Sequence, residues 1–166
     1  MTISRIRSRL TDLGHTLPSV AVPVASYVPA LQVGNQVTTS GQLPLVDGAL
    51  PRTGKVGADV TAEQAQDLAR ICCLNALAAI ESVIGDLDRI VRVVKVVGYV
   101  ASDPAFTGQP AVVNGASDLL GEVFAAAGEH VRSAVGVAVL PLDAPVELEL
   151  TVEVAPHEAG AAAAAA

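Results

Sequence analysis

Arg132 stands near the head of the segment HVRSAVGVAVLPLDAPVELE, and several residues that follow it, Ser133, Ala134, Gly136 and Ala138, are small. A guanidinium among small side chains leaves room for a ligand, and its planar fork matches a carboxylate through two parallel hydrogen bonds. A structural ion pair is equally compatible with this pattern, and residue chemistry alone leaves the two open. Further on, Glu147, Glu149 and Glu153 alternate with Val146, Leu148, Leu150, Val152 and Val154. A period of two places the glutamates on one face of a strand and the apolar residues on the other. If the strands carrying Arg132 and Glu147 form a hairpin about Asp143, Glu147 returns toward the later part of the Arg132 strand. A carboxylate beside a substrate and a water can then move a proton. For Glu149 and Glu153 a solvated sheet face is explanation enough.

Other chemistries lack their residues. The sequence contains no P-loop, no dinucleotide-binding glycine fingerprint, no Cys/His cluster at metal-ligand spacing and no G-x-S-x-G elbow. A metal site or a nucleophile–histidine dyad would have to be assembled from scattered pieces, and neither is expected. His15, His130 and His157 fall in segments that read as loops or tail, as solvated histidines. Cys72 and Cys73 are neighbours in an apolar run, so they cannot staple distant segments of one chain and read as buried, reduced thiols.

The elements that must position these residues follow from periodicity. Ile3, Ile6, Leu10 and Leu13 recur at helical spacing before Gly14, which predicts a short N-terminal helix. Leu17 to Ala25, with Pro18 and Pro23, reads as an extended connector. Tyr27 to Val33 and Gln36 to Ser40 read as a hairpin about Gly34-Asn35, and Leu45 to Gly57 as a loop with a small hairpin at Asp47-Gly48. Thr61 with Gln64 forms a capping-box pattern, opening a long helix that ends near Gly85. The β-branched stretch RIVRVVKVVGYVAS predicts a strand. A second long helix is expected from about Gln109 to Ala127, and strands from Arg132 to Leu140 and Val146 to Val154. The order gives an α+β two-layer sandwich, a mostly antiparallel sheet covered on one side by two long helices. One domain is expected over residues 1–157, with residues 1–25 as N-terminal helix and connector. Residues 158–166 form an Ala-rich low-complexity tail.

Composition narrows the class of partner. The chain has 166 residues, 51% of them apolar but only 2% aromatic, with no Trp. Such a core packs well, yet each side chain buries little area, so self-association that covers further surface is expected. Ten basic residues against seventeen acidic ones, net charge −7, argue against nucleic-acid binding. Mean hydropathy is +0.50, but the most apolar stretch, Ile90 to Val100, is interrupted by Arg92 and Lys95 and falls well short of the ~20 residues a bilayer needs. No membrane association is expected. MTISRIRSRL carries charge without an apolar core behind it, unlike a secretory signal. With two unpaired cysteines, that makes a cytoplasmic location the expectation.

Several segments together resemble the reactive-intermediate (enamine/imine) deaminase family, also called liver perchloric-acid-soluble ribonuclease-like proteins. RSAVGVA…LP, with a Glu fifteen residues beyond the Arg, is similar to the family's C-terminal signature. SYVPALQVGNQVTTSGQLPL resembles its first hairpin and SGQ motif, NALAAIESVIGDLDRIVRVVKVVGYVAS its central helix and strand, and Asn114 a recurrent Asn. The likeness runs from about Tyr27 to Val154. It departs where Ala25-Ser26 replaces a Gly-Pro, where Ala134 replaces a frequent Cys, and where Val139 replaces a basic residue.

The resemblance implies a chorismate-mutase-like α+β fold in a homotrimer with clefts between subunits. It implies hydrolysis of 2-imino or enamine acids to 2-keto acids and ammonia, without cofactor, on a small carboxylate-bearing substrate. Arg132 is then the carboxylate-binding residue, and Glu147 orients or protonates through a water. Tyr27, Ser40 and Asn114 complete the cleft, with Ala134 contributing mainly backbone. A ligand-binding or regulatory trimer of the same fold, without turnover, is the alternative. A ribonuclease, as the older family name has it, is a weaker one given the acidic balance.

Overall fold

The structure is a computed structural model that describes residues 4–20 and 26–156. Ile3, most of the proline connector, His157 and the Ala-rich tail lie outside the described residues. Helix α1 runs over Arg5–Asp12, helix α2 over Ala62–Ile84 and helix α3 over Gln109–Phe124. Strands are β1 Ala30–Val33, β2 Gln36–Thr39, β3 Ile90–Ala101, β4 Val131–Val137 and β5 Val146–Val154. The sheet order is β1-β2-β5-β3-β4, with every neighbouring pair antiparallel except β3 and β4. This is the expected α+β sandwich. Its sheet is mostly antiparallel, as expected, with β3 and β4 as the parallel pair.

Local chemistry fixes α2. The Thr61 hydroxyl accepts from the Gln64 backbone N–H at 3.2 Å, and the Gln64 side chain accepts from the Thr61 N–H at 3.1 Å. Two of the N–H groups that a helix start leaves unpaired are thereby satisfied. At the other end Gly85 adopts φ 80° and ψ −30°, a left-handed geometry that costs a residue without Cβ little. Leu68, Cys72, Leu77 and Ile80 face inward and are fully or nearly fully buried. Both cysteines are free, and burial pushes their thiols up, Cys73 to about 12, so both stay protonated and unreactive.

The second long helix carries its apolar residues at Val112, Val113, Ala116, Leu119, Leu120 and Val123, all buried. It packs beside α2 on the same face of the sheet. Regular α-helix ends at Phe124, and one 3₁₀ turn, Ala125–Gly128, completes the expected span. The loop 45–57 contains the expected small hairpin, with Val46 bridged to Ala49.

The principal correction concerns the last two strands, which do not form a hairpin. β4 runs parallel to β3, reached through α3, while β5 crosses back to lie between β2 and β3. Parallel neighbours need a crossover of a dozen or more residues, usually helical, and the 29 residues from Ser102 to His130 provide it. β5 is thus the central strand. That is why Val146, Leu148, Leu150, Val152 and Val154 are all buried (1% exposed at most). Strand β4 also stops at Val137 rather than Leu140, and β1 begins at Ala30 rather than Tyr27. The turn that follows β4 holds Leu142 and Asp143 at positive φ, a turn-forming conformation that ends the strand.

Candidate active site

Arg132 lies near the start of β4, at the sheet edge, in register with Val96 of β3. Val96 is fully buried against the helices, so Arg132 extends over the helix side, where α3 receives it. Its Nη1 donates to Asn114 Oδ1 at 2.8 Å and to Ser117 Oγ at 3.1 Å, and Nη2 donates to the Pro110 carbonyl at 3.2 Å. All three acceptors are uncharged. Among the described residues the ion pairs are Arg7–Glu81 and Arg70–Asp67, and Arg132 takes part in neither. A guanidinium offers five N–H donors, so three bonds leave two for a ligand. Asn114 sits in the second turn of α3 as the first of these acceptors, which joins two of the expected site residues directly.

Ala134, in register with Gly98, is half-buried and packs against the core. Of the other small neighbours, Gly136 faces Gln109, whose Nε2 would lie 2.8 Å from any Cβ placed there. Gln109 also bonds Ser102 Oγ and the Phe106 carbonyl. Part of the room anticipated beside Arg132 is therefore occupied by the start of α3.

Glu147 lies elsewhere. It is in register with Tyr99 of β3 and faces away from the helices. Tyr99 lies three residues along β3 from Val96, about 10 Å, and β5 and β4 are two strand spacings apart, again about 10 Å. The single chain does not bring Arg132 and Glu147 together, and they occupy opposite faces of the sheet. Glu147 instead abuts Gly41: a Cβ at that position would collide with its Oε1. Only glycine allows so close an approach, and this places the carboxylate beside Ser40. The Ser40 hydroxyl donates to the Val28 carbonyl at 2.6 Å. Tyr27 and Ser40 line one open groove of about 580 Å³ with Val28, Leu31 and Thr38.

Burial, and next the neighbouring Glu149, raise the Glu147 carboxyl above its ordinary value. Tyr99 donates to Glu149 Oε1 at 3.4 Å, and burial followed by the Glu149 charge raises the phenol as well. The six expected residues thus fall into two half-sites. Arg132, Asn114 and Ala134 form one near the β4 edge; Tyr27, Ser40 and Glu147 form the other toward the β1–β2 hairpin.

Two residues with chemistry, Tyr99 and Ser117, escaped the sequence reading, and a third, His130, was read differently. Tyr99 was hidden in a β-branched run. Ser117 and His130 are paired: the His130 ring lies 3.0 Å from Ser117 Oγ through Nε2 and 2.6 Å from the Gly128 carbonyl through Nδ1. The expectation of a solvated histidine is corrected here, since His130 is half-buried and engaged through both nitrogens. Among the described residues no group of three His, Cys, Asp or Glu side chains is placed to hold a metal ion, and no helix is long and apolar enough to cross a membrane.

A mixed sheet with a β-α-β crossover and two long helices on one face places the chain in the class of small α+β proteins, here with an arginine that has no carboxylate partner among the described residues at the sheet edge. The family model described as "YjgF/chorismate_mutase-like, putative endoribonuclease" matches residues 7–154, and the chain belongs to that family. It is 45% identical over 150 residues to Protein TCP17 of Trypanosoma cruzi, covering 90% of this chain and 94% of that one. It is 31% identical over 126 residues to the 2-iminobutanoate/2-iminopropanoate deaminase of Escherichia coli, covering 76% and 85%. A crystal structure described as a putative endoribonuclease from Shewanella oneidensis superposes with a TM-score of 0.87 at 36% identity, covering 90% and 99%. The family therefore includes imine deaminases alongside proteins described as endoribonucleases.

Proposed function

We propose that this protein hydrolyses reactive 2-imino and enamine acids to 2-keto acids and ammonia, with Arg132 binding the substrate carboxylate. The observation that carries the reading is the state of that guanidinium: fixed by three neutral acceptors, with two donors left and no carboxylate partner among the described residues. A charge held this way favours an incoming anion, and two donors are what a bidentate carboxylate requires. The relative named as an imine deaminase supports the same chemistry. Water adds to the imine carbon, a proton reaches the nitrogen, and ammonia leaves as the carbonyl forms. Glu147, whose carboxyl keeps its proton to higher pH than an ordinary glutamate, is the group that passes the proton through a water.

The separation of the half-sites supports a further element of the proposal. A cyclic homotrimer with a heterologous interface sets the Arg132 edge of one subunit against the Tyr27–Ser40–Glu147 surface of the next. Exposed apolar residues at both places, Val131 and Val135 on β4 and Val28, Leu31 and Val33 at the hairpin, fit burial in such an interface.

The test couples a threonine dehydratase, which releases 2-iminobutanoate, to this protein and follows 2-ketobutyrate and ammonia. The wild-type protein should speed their release over buffer. Arg132→Ala should lose about ten- to a hundredfold for each hydrogen bond to the carboxylate, since bonds to charged groups contribute about 1.5–3 kcal/mol. Release no faster than in buffer with the wild-type protein would overturn the assignment.

A further inference from the structure

We propose that Ser117 and His130 are positioning residues that fix the Arg132 guanidinium and so determine which two of its donors face a substrate carboxylate. The inference rests on the reading of Arg132 as the carboxylate-binding group. The hydrogen-bond chain has one consistent direction at a neutral imidazole. The Gly128 carbonyl can only accept, so His130 Nδ1 carries the proton and donates to it at 2.6 Å. Nε2 is then the acceptor and takes the Ser117 hydroxyl proton at 3.0 Å. With its proton committed to His130, Ser117 Oγ presents a lone pair, and that lone pair receives Arg132 Nη1 at 3.1 Å. Asn114 Oδ1 takes the other Nη1 proton at 2.8 Å. Both protons of Nη1 are thereby assigned, which stops rotation of that group.

The backbone around His130 is unusual in a way that serves this chain of bonds. Ala125, the residue that ends α3, adopts φ 52° and ψ −129°, a conformation strained for any residue with a Cβ. The turn it starts folds Gly128 back onto α3, where a Cβ would collide with the Leu120 carbonyl. The reversal puts the Gly128 carbonyl and the His130 ring one after the other over Ser117. An ordinary helix end would carry His130 away from α3. The strain is retained where it delivers an imidazole to a hydroxyl that touches the guanidinium.

Arginine is a long, rotamer-rich side chain, and ordering it in advance removes that cost from ligand binding. The expected signature of losing Ser117 or His130 is therefore weaker binding, with the chemical step little changed. Ser117→Ala and His130→Ala should weaken 2-ketobutyrate binding about threefold to tenfold, the range for one ordered side chain. The maximal rate on dehydratase-generated 2-iminobutanoate should stay within about twofold. His130→Gln, which keeps an acceptor near the Nε2 position, and Ser117→Thr, which keeps the hydroxyl, should recover most of the affinity; both also guard against a variant that fails to fold.

Nitrogen-15 NMR of the Arg132 side chain in the full-length protein supplies a readout that needs no ligand. Hindered rotation of its Nη groups in the wild type should be lost in Ser117→Ala and His130→Ala and regained in the two conservative variants. Unchanged Arg132 rotation, or unchanged 2-ketobutyrate affinity, in both alanine variants sinks the positioning role. Unchanged affinity in Arg132→Ala, measured alongside, sinks instead the carboxylate reading on which it depends.

Discussion

Glu147 shows what burying a carboxylate costs in stability. Burial, reinforced by Glu149, holds its carboxyl above the ordinary value, so the ionised form is the disfavoured one in the folded protein. A group whose native pKa is raised contributes stability below its unfolded pKa, near 4.3 for Glu, and loses that contribution as pH rises through the native value. Glu147→Gln removes this loss. The variant should therefore match the wild type at pH 4 and be the more stable of the two at pH 7, by an amount typical of a partly exposed site, below about 1 kcal/mol. Thermal unfolding at the two pH values checks the sign. Its 2-iminobutanoate hydrolysis should fall all the same, because the proposed proton-transfer group is gone. Functional residues commonly show this trade between stability and activity.

Among the elements, α1 depends on a residue far away in sequence. The Asp88 carboxylate accepts from the Ser4 hydroxyl at 2.9 Å and from the backbone N–H groups of Arg5 and Ile6 at 2.8 Å each. It does for the start of this helix what a capping side chain does locally. Burial pushes the Asp88 carboxyl up, but these bonds outweigh it and hold the group below its usual range. The stabilisation is therefore present above the unfolded pKa, near 3.9, and fades as pH falls through the lower native value. Asp88→Ala should raise amide exchange over Arg5–Leu10 roughly tenfold or more, as expected when bonds worth about 1.5–3 kcal/mol to a charged group are lost, and leave exchange in α2 unchanged. Hydrogen exchange at neutral pH decides it.

Local signals are what the sequence made legible. The capping box at Thr61 and the stop at Gly85 bounded α2 closely, and the alternation in β5 marked its buried face. Pairing partners were not legible by the same means, because Val146 to Val154 alternate identically whichever strand lies alongside. The hairpin expectation came from the turn residues at Pro141 and Asp143, which end β4 but do not direct β5 back onto it. A better signal was present: a long apolar strand, then a helix, then a strand, the order of a parallel crossover unit. At the candidate site, Arg132 drew attention through its small neighbours and Asn114 through a resemblance, and the structure brings the two into contact. Their partners Ser117 and His130 were not legible. Their contact depends on a reversed backbone at Ala125, and an Ala-Ala-Ala-Gly run does not announce one.

For the whole molecule, the arrangement of two half-sites makes a demand on assembly. One chain carries Arg132 on the helix side of one edge strand and Glu147 on the opposite face of the sheet, two strands away. Rigid strands cannot close that separation, so if both residues serve one cleft, as proposed, a second copy must supply one of them. In the proposed closed ring each cleft would take Arg132 from one subunit and Glu147 from its neighbour. Arg132→Ala and Glu147→Gln homo-oligomers should each be nearly inactive. Mixed oligomers regain intact clefts wherever a subunit that keeps Arg132 meets one that keeps Glu147. Random assembly from equal amounts creates that pairing at about one interface in four, since each of two sides must be the right variant with even odds. Co-refolding the two inactive variants should therefore recover about a quarter of the wild-type rate, and mixing them without subunit exchange should recover none. Recovery near zero after verified exchange would place both residues in a cleft made by one chain, which the sheet register forbids, or remove one of them from the chemistry.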